Sequence, residues 1–395
     1  MRLGSSGLQA DDAPLEPRPL THVSSRALQA AWAGGLLREP CLDPDRLIAK
    51  AARGQSHGLR DGDWRAGFTL LAGELESAGL TALGRTIAHG QLLKLLRQRI
   101  AATRLWDRAP QILAHPVGAP VIILGHMRSG TTRLHRLLAC DPRFSYTRLH
   151  ETLTPLARTS VQSIASSVAI QCFLNCCSPH LRRIHPTSAL AAEEEFGLHA
   201  FSFHGAMFEA QWNVPRFARF CERRDLGPVY REFRHLVQTL RWKRREPADK
   251  VQLLKAPQFM QDLDAVLHAF PGARVLWVRR NLREVVASTA SLVWNQQRIQ
   301  SDVVERAEVG REWLRKTELR EERAVAALRK HAVPTLEIAY ADMDENWWSE
   351  TRRIYRFLGF ELPGSAVRRM DKVAKGTSHK GHYYSPQLFG LADAR

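Results

Sequence analysis

The chain contains 395 residues, of which 44% are hydrophobic and 25% are charged. This length and composition exclude a small disulfide-stabilised scaffold and a disordered polar chain, and they predict a folded protein with a substantial core. Lysine and arginine total 57 against 40 aspartates and glutamates, which gives a formal net charge of +17. A charge of this size predicts an anionic ligand but does not name it, because arginine binds phosphate, sulfate and nucleic acid alike.

The apolar runs are too short for a membrane span. Residues 120–124, Pro-Val-Ile-Ile-Leu, are typical of them, whereas a spanning helix needs roughly 18 to 20 apolar residues. Acidic side chains at Asp11, Asp12 and Glu16 occupy the place where a secretory signal has a basic start and an apolar centre. The six cysteines show neither paired disulfide spacing nor a C-x-x-C pattern. We therefore expect a cytoplasmic protein without a bound metal.

The composition changes twice along the chain. Residues 1–20 are rich in proline and polar side chains and are predicted to form a loose tail. Residues 21–116 carry leucines and alanines at near-helical spacing and are predicted to form a helical extension. Prolines and a glycine at 116–120 mark a boundary. Residues 117–395 are predicted to form an α/β domain that contains a helical insert at 155–245.

Short β-branched or apolar runs alternate with helical patterns in this second region. The predicted strands are 121–124, 251–254, 274–278 and 335–339, and the predicted helices that follow them are 131–138, 261–270, 282–292 and 351–358. Strands that alternate with helices are typical of a parallel sheet covered on both faces. The fold class predicted here is α/β, with a P-loop-like parallel sheet flanked by helices.

A glycine-rich loop follows the first predicted strand. Residues 125–132, Gly-His-Met-Arg-Ser-Gly-Thr-Thr, have the length and placement of a P-loop, G-x-x-x-x-G-K-[ST]. Thr131 stands where that loop has its lysine, and Thr132 keeps the hydroxyl position. The backbone amides and the helix N-terminus still predict an anion-binding loop. Arg128 supplies a cation for a group that carries less charge than a magnesium-bound triphosphate.

Residues 120–138 resemble the 5′-phosphosulfate loop of the sulfotransferases that use 3′-phosphoadenosine 5′-phosphosulfate (PAPS), in particular their bacterial-type branch. The resemblance implies that PAPS is the donor and that 3′,5′-adenosine bisphosphate (PAP) is the product. The loop residues that would bind the donor are Arg128, Ser129, Gly130, Thr131 and Thr132.

Two positions depart from the pattern of this family. Met127 replaces the proline that usually precedes the arginine. Arg133 occupies a position that is usually apolar, and it therefore needs an exposed face or an anionic neighbour.

A second apolar strand also ends in arginine. Arg280 follows this strand, and Ser288 comes eight residues later, as in the family's pair that holds the 3′-phosphate. The resemblance implies that these two residues bind the 3′-phosphate, whereas the loop at 125–132 binds the opposite end of the donor. From the residues alone, Arg280 can equally be a surface ion-pair partner of Glu284.

Sulfuryl transfer to a hydroxyl or an amine needs a proton acceptor and a cation at the departing phosphate. The family commonly has a carboxylate base shortly after the first helix, and Glu151 matches that place, with His150 as the alternative acceptor. Lys255 follows a predicted strand and resembles the family's strand-end lysine, which stabilises the leaving oxygen. We expect Arg128 to share this task.

Two further polar segments deserve interpretation. Residues 378–391 resemble a tail of this branch that closes over the nucleotide, and Lys380 within it is expected to contact a phosphate. The three consecutive glutamates 193–195 are interpreted as the start of a helix with its charges in water, and a catalytic role for one of them is the minor alternative.

The sequence leaves the acceptor open among small molecules, lipids and sugars. Two other function classes also stay open. A P-loop kinase or NTPase with an altered loop would bind ATP with magnesium, and a basic nucleic-acid-binding protein is compatible with the charge of +17. The resemblance favours the sulfotransferase, for which no specific nucleic acid is expected. Four aromatic residues fit either an apolar acceptor or the core: Phe201, Phe203, Phe208 and Trp212.

Overall fold

The computed structural model describes residues 19–55, 58–178, 186–376 and 385–391. These residues contain a five-stranded sheet with the strand order β2-β3-β1-β4-β5. Every pair of neighbouring strands is parallel. The strands are β1 (Val121–Leu124), β2 (Phe144–Ser145), β3 (Val251–Leu254), β4 (Arg274–Arg279) and β5 (Thr335–Ala339).

Helices surround this sheet and precede it. The helices before β1 are α1 (Pro19–Ala33), α2 (Pro44–Ala52), α3 (Trp64–Leu75) and α4 (Ala82–Arg108). Between β1 and β3 lie α5 (Thr131–Leu138), α6 (Leu149–Leu153), α7 (Ser160–Cys177), α8 (Phe196–Ala200), α9 (Ala206–Gln211), α10 (Pro215–Arg223) and α11 (Gly227–Lys243). The later helices are α12 (Phe259–Ala269), α13 (Leu282–Gln297), α14 (Arg306–His331), α15 (Tyr340–Glu345), α16 (Trp347–Leu358) and α17 (Gly364–Gly376). None of the described helices is long and apolar enough to cross a membrane.

The predicted fold class is confirmed. All four predicted strands are present, and each is followed by a helix that covers most of the predicted range. Five elements were not predicted, namely β2 and the helices α6, α14, α15 and α17. Strand β2 has only two residues and offers no periodicity, and helix α14 is so rich in charged residues that its apolar stripe is weak.

Side chains alternate between the two faces of the sheet, because successive residues of a strand point in opposite directions. In β1, Ile122 and Leu124 pack into a core cluster with residues of α11, α12 and α14, for example Phe233. Val121 and Ile123 pack into the opposite cluster with α5, α16 and α17. All four residues of β1 are buried. The apolar run that predicted this strand therefore reflects burial on both faces.

The helical extension shares a hydrophobic core with the helical insert. Phe68 of α3 and Leu92 of α4 belong to the same buried cluster as Phe208 of α9 and Phe217 of α10. Phe68 and Phe203 approach to 4.9 Å between ring centroids. The extension is thus packed on the insert, with no separate core of its own among the described residues. The predicted tail at 1–20 lies outside the described residues, except that α1 already begins at Pro19.

This shared core generates a stability prediction. Leu92 is fully buried, so Leu92→Ala should lower the free energy of unfolding by about 2 to 5 kcal/mol. The control is Leu36→Ala, since Leu36 is 82% exposed, and it should change that free energy by less than about 0.5 kcal/mol. Urea unfolding followed by circular dichroism should show one transition that moves as a whole. A separate transition, shifted alone by Leu92→Ala, would contradict the shared core.

Candidate active site

The carboxyl ends of the central strands meet at one edge of the sheet. In the parallel register, Ile122 of β1 lies beside Leu254 of β3, and Leu124 of β1 lies beside Trp277 of β4. Each strand is followed by a residue group singled out in the sequence: the loop 125–132 after β1, Lys255 after β3, and Arg280 after β4. Open α/β sheets bind their ligands at this edge.

The glycine-rich loop ends in a tight turn at Gly130 that leads directly into helix α5. Gly130 has a φ of +96°, and a Cβ at this position would lie 2.5 Å from Cδ2 of Tyr340. The Ser129 hydroxyl donates a hydrogen bond to the carbonyl of His126 at 2.7 Å, which closes the turn. Helix α5 begins at Thr131, directly after the loop. The first amides of a helix have no intrahelical acceptor and attract anions.

The two predicted phosphate anchors contact each other. Arg128 Nε donates a hydrogen bond to Ser288 Oγ at 3.0 Å, and Arg280 Nη1 donates to the carbonyl oxygen of Arg128 at 3.0 Å. The guanidinium of Arg280 lies 4.4 Å from the centroid of the Tyr340 ring. It also pairs with Glu284 at 2.8 Å, as the alternative interpretation predicted. The structure therefore brings the two anchors into one cationic surface.

Lys255 is the buried cation between the loop and the insert. Its side chain is 1% exposed and forms an ion pair with Glu194. Its ammonium also donates a hydrogen bond to Thr132 Oγ1 at 2.9 Å. The backbone amide of Lys255 donates to Glu195 Oε2 at 2.8 Å. One residue after β3 thus joins the anion-binding loop to the segment that precedes α8.

The interpretation of residues 193–195 as a solvated helix start is wrong. Glu193 is 5% exposed, Glu195 is 0% exposed, and Glu194 pairs with Lys255. Helix α8 begins only at Phe196. The three glutamates run across the carboxyl edge of the sheet instead, where cations of the edge, Lys255 and Arg136, face them.

Glu195 is held in a largely apolar position. Burial raises the pKa of its carboxyl group from an ordinary value near 4.5 to about 8, against the opposing effect of the hydrogen bond from the Lys255 amide. At neutral pH the side chain is therefore mostly protonated. It anchors the backbone of Lys255 without adding a full negative charge beside Glu194.

Glu151 is placed differently from the expectation for a base. Arg244 donates to both of its carboxylate oxygens, with Nε at 2.8 Å from Oε1. The carboxylate also accepts the backbone amide of Arg148 at 2.8 Å and so closes the first turn of α6. His150 is buried and bonded to Ser163 at 3.0 Å, and burial lowers its pKa. Neither Glu151 nor His150 lines the cavity described next.

A cavity of about 390 Å³ opens at this edge of the sheet. Five loop residues line it, namely Met127, Arg128, Gly130, Thr131 and Thr132, together with Arg280 and Glu194 among others. Lys255, Ser129 and Ser288 lie behind this lining and are bonded to the residues that form it or to the loop backbone. Of the predicted site, Lys380 alone falls outside the described residues.

Two polar residues of the cavity were missed as site residues, Glu194 and Tyr340. Glu194 was interpreted with its neighbours as solvated, with a catalytic role for one of the three as the minor alternative, because a run of glutamates carries no local sign of an ion pair. Tyr340 follows β5 directly, and the end of a parallel strand is the position that could have identified it. The anionic neighbour that Arg133 requires is Asp344, at 2.6 Å.

The described residues also contain one group of three potential metal ligands, formed by Asp264, His268 and His331. These side chains lie on α12 and α14 and do not line the cavity. Lys330 pairs with the same aspartate at 2.8 Å.

Comparison with known proteins identifies the family of this chain. A family model described as "Sulfotransferase family" matches residues 120–364. The structure is similar to the crystal structure of sulfotransferase STF1 from Mycobacterium tuberculosis H37Rv, with a TM-score of 0.76 and 26% identity over 90% of this chain and 97% of that chain. It also shares its fold with sulfotransferase STF9 from Mycobacterium avium, with a TM-score of 0.75 and 22% identity over 88% of this chain and 92% of that one. No curated protein sequence matches the chain.

The family match covers more than half of the chain and includes the loop, Lys255, Arg280 and Ser288. The chain therefore belongs to the sulfotransferase family, and it is an enzyme that transfers sulfuryl groups. This membership decides against a kinase or NTPase.

The raised pKa of Glu195 predicts how stability changes with pH. Because the folded protein binds this proton more tightly than the unfolded chain, the contribution of Glu195 is fully present below about pH 4.5 and is lost as the pH rises through about 8. The melting temperature of the wild type, relative to that of Glu195→Gln, should therefore fall between pH 5 and 8.

Thermal unfolding at a series of pH values measures this difference. The control is Glu318→Gln, which removes an exposed carboxylate and should leave the difference from the wild type constant over the same range. If the melting temperature of the wild type, relative to that of Glu195→Gln, instead rises between pH 5 and 8, Glu195 is charged in the folded protein.

Proposed function

We propose that the enzyme transfers the sulfuryl group of PAPS to a hydroxyl group of an acceptor, with Glu194 as the proton acceptor. One observation carries the proposal. The anion-binding loop and Glu194 line the same cavity, and Lys255, behind the lining, contacts both of them. An amine is the second nucleophile compatible with the same base.

The residues present fit a nucleotide with an anionic group at each end. The turn at Gly130 leaves no space for a Cβ and keeps the loop backbone close to the cavity. Arg128, Arg280 and Ser288 add two cations and a hydroxyl beside it. The ion pair of Arg280 with Glu284 is weak competition for a phosphate, because the Glu284 side chain is 55% exposed. When bound, PAPS supplies the sulfuryl group that is transferred.

Glu194 is better placed than Glu151 to take the proton of the acceptor. Glu194 lines the cavity, and Phe196, two residues further on, belongs to the apolar part of the lining. The oxygens of Glu151 are occupied by Arg244 and by the α6 backbone. A base must reach the proton that it removes, so geometry decides between the two carboxylates.

Lys255 and Arg128 provide positive charge for the phosphate side of the reaction. The ammonium of Lys255 bonds Thr132, which belongs to the first turn of α5 and to the cavity wall. Because this ammonium is buried, its charge is weakly screened by water and acts strongly on an anion held by the loop. Lys255 also orients Glu194 through their ion pair.

Binding of the donor product PAP tests the proposed donor site. PAP should raise the melting temperature of the wild type by mass action, and Arg280→Ala should weaken PAP binding by about tenfold or more, because charge-assisted hydrogen bonds contribute roughly 1.5 to 3 kcal/mol. The matched control is Arg283→Ala, because Arg283 is an exposed arginine in the first turn of α13 and does not line the cavity. Stronger stabilisation by ATP with magnesium, or equal stabilisation of Arg280→Ala and the wild type by PAP, would contradict the assignment.

Substitution of each glutamate by glutamine separates the two candidate bases, Glu194 and Glu151. Glu194→Gln should lower kcat for ³⁵S transfer from PAPS by about 10²- to 10⁴-fold, with PAP affinity changed by less than about threefold. Glu151→Gln should lower the melting temperature, because it removes one of the two carboxylate partners of Arg244 and leaves only Glu246, at 3.3 Å. The value of kcat measured well below that temperature should stay close to that of the wild type. The opposite pattern of kcat values would assign the base to Glu151.

A further inference from the structure

The cavity has two chemically different parts. Its charged lining comes from the loop side of the sheet edge and from the two glutamates: Arg128, Arg133, Glu193, Glu194, Arg280 and Asp344. The lining contributed by α7, α9 and α13 contains no charged side chain. Along the insert, the lining changes from charged to apolar between Glu194, the proposed proton acceptor, and Phe196.

The uncharged part is mainly apolar. Seven large side chains form it: Leu149, Leu153, Ile170, Leu174, Phe196, Met207 and Leu292. The polar groups of this part are all neutral, and they are the side-chain amides of Gln171, Asn175, Gln211 and Gln296 and the hydroxyl of Thr152. A charged group of the acceptor would lose its hydration here and would find no ionic partner, so its transfer from water is costly. An apolar body would gain free energy from the same surface.

Helix α7 forms the outer wall of this part. Its 18 residues, Ser160–Cys177, include no Asp, Glu, Lys, Arg or His, in a chain with a formal net charge of +17. Leu174 lines the cavity and is 38% exposed, so the cavity reaches solvent beside it. A molecule that enters here meets apolar and neutral side chains before it reaches Glu194.

The four aromatic residues whose use the sequence left open do not provide this surface. Phe201, Phe203, Phe208 and Trp212 are at most 2% exposed and belong to the core clusters, and none of them lines the cavity. Of the two uses that the sequence left open for them, the structure shows core packing.

We infer that the acceptor is an uncharged alcohol with an extended apolar body, which binds against α6, α7, α8 and α9 and presents its hydroxyl group to Glu194. The inference rests on the proposed function and narrows its acceptor from any hydroxyl compound to this class. A free sugar would place many of its hydroxyls against the seven apolar side chains, and an anionic alcohol would meet the uncharged part without a cation.

Chain length provides the first test. Each buried methylene contributes about 0.8 kcal/mol, so kcat/KM for linear primary alcohols from butanol to decanol should rise about fourfold per added carbon until the cavity is filled. The charged partner of hexan-1-ol, 6-hydroxyhexanoate, should have a kcat/KM lower on the order of 10²-fold or more. Equal kcat/KM values across the alcohols, or a preference for glucose or 6-hydroxyhexanoate, would overturn the inference.

Three variants on α7 locate the effect. Ile170→Asp places a carboxylate in the apolar wall and should abolish the dependence on chain length. Val161→Asp is the control, because Val161 is 77% exposed and does not line the cavity, and it should keep that dependence. Ile170→Ala, a milder change, should reduce the affinity for long alcohols even if Ile170→Asp does not fold. An unchanged slope in Ile170→Ala and Ile170→Asp would overturn the location.

A binding measurement separates this inference from the proposed function. In the presence of PAP, octan-1-ol should raise the melting temperature of the wild type and of Val161→Asp but not that of Ile170→Asp. Failure of PAP to bind, together with no transfer from PAPS, overturns the proposed function. PAP binding and transfer from PAPS to glucose, without stabilisation by octan-1-ol, keep the proposed function and overturn the acceptor class.

Discussion

The ion pair between Lys255 and Glu194 is the interaction on which the arrangement of the site depends. A lysine side chain that is 1% exposed needs a charged or strongly polar partner, because an isolated buried ammonium is very costly. Its partners come from two distant parts of the chain: Thr132 from the start of α5 and Glu194 from the segment before α8. The requirement to neutralise Lys255 therefore places a carboxylate next to the anion-binding loop.

The sheet order makes this contact possible. Strand β3 lies next to β1, so that the residue after β3 emerges beside the loop after β1. Glu195 then fixes the backbone of Lys255, and because its pKa is about 8 it does so largely as a neutral acid at pH 7. The insert that supplies both glutamates is held in turn by its common core with the helical extension. Parts of the chain far from the anion-binding loop thus determine where the uncharged part of the cavity lies.

The sequence predicted the elements that repeat a strong local pattern. Strand β1, its loop and α5 could be identified because burial on both faces and a fixed glycine spacing leave clear marks. The partner of Lys255 could not be identified in this way. A run of glutamates has the same local appearance in water and in an ion pair, and only the tertiary contact distinguishes them. Glu151 illustrates the converse, since a carboxylate with the expected spacing is used to bind Arg244.

A crystal structure of the enzyme with PAP tests the central claim most directly. The account predicts the 5′-phosphate at about 3 Å from the backbone amides of loop 125–132, with the Lys255 ammonium near it, and the 3′-phosphate at Arg280 and Ser288. Glu194 should face the opposite, uncharged part of the cavity. PAP bound with both phosphates away from these residues, or with its adenosine filling the space against α7, would contradict the account.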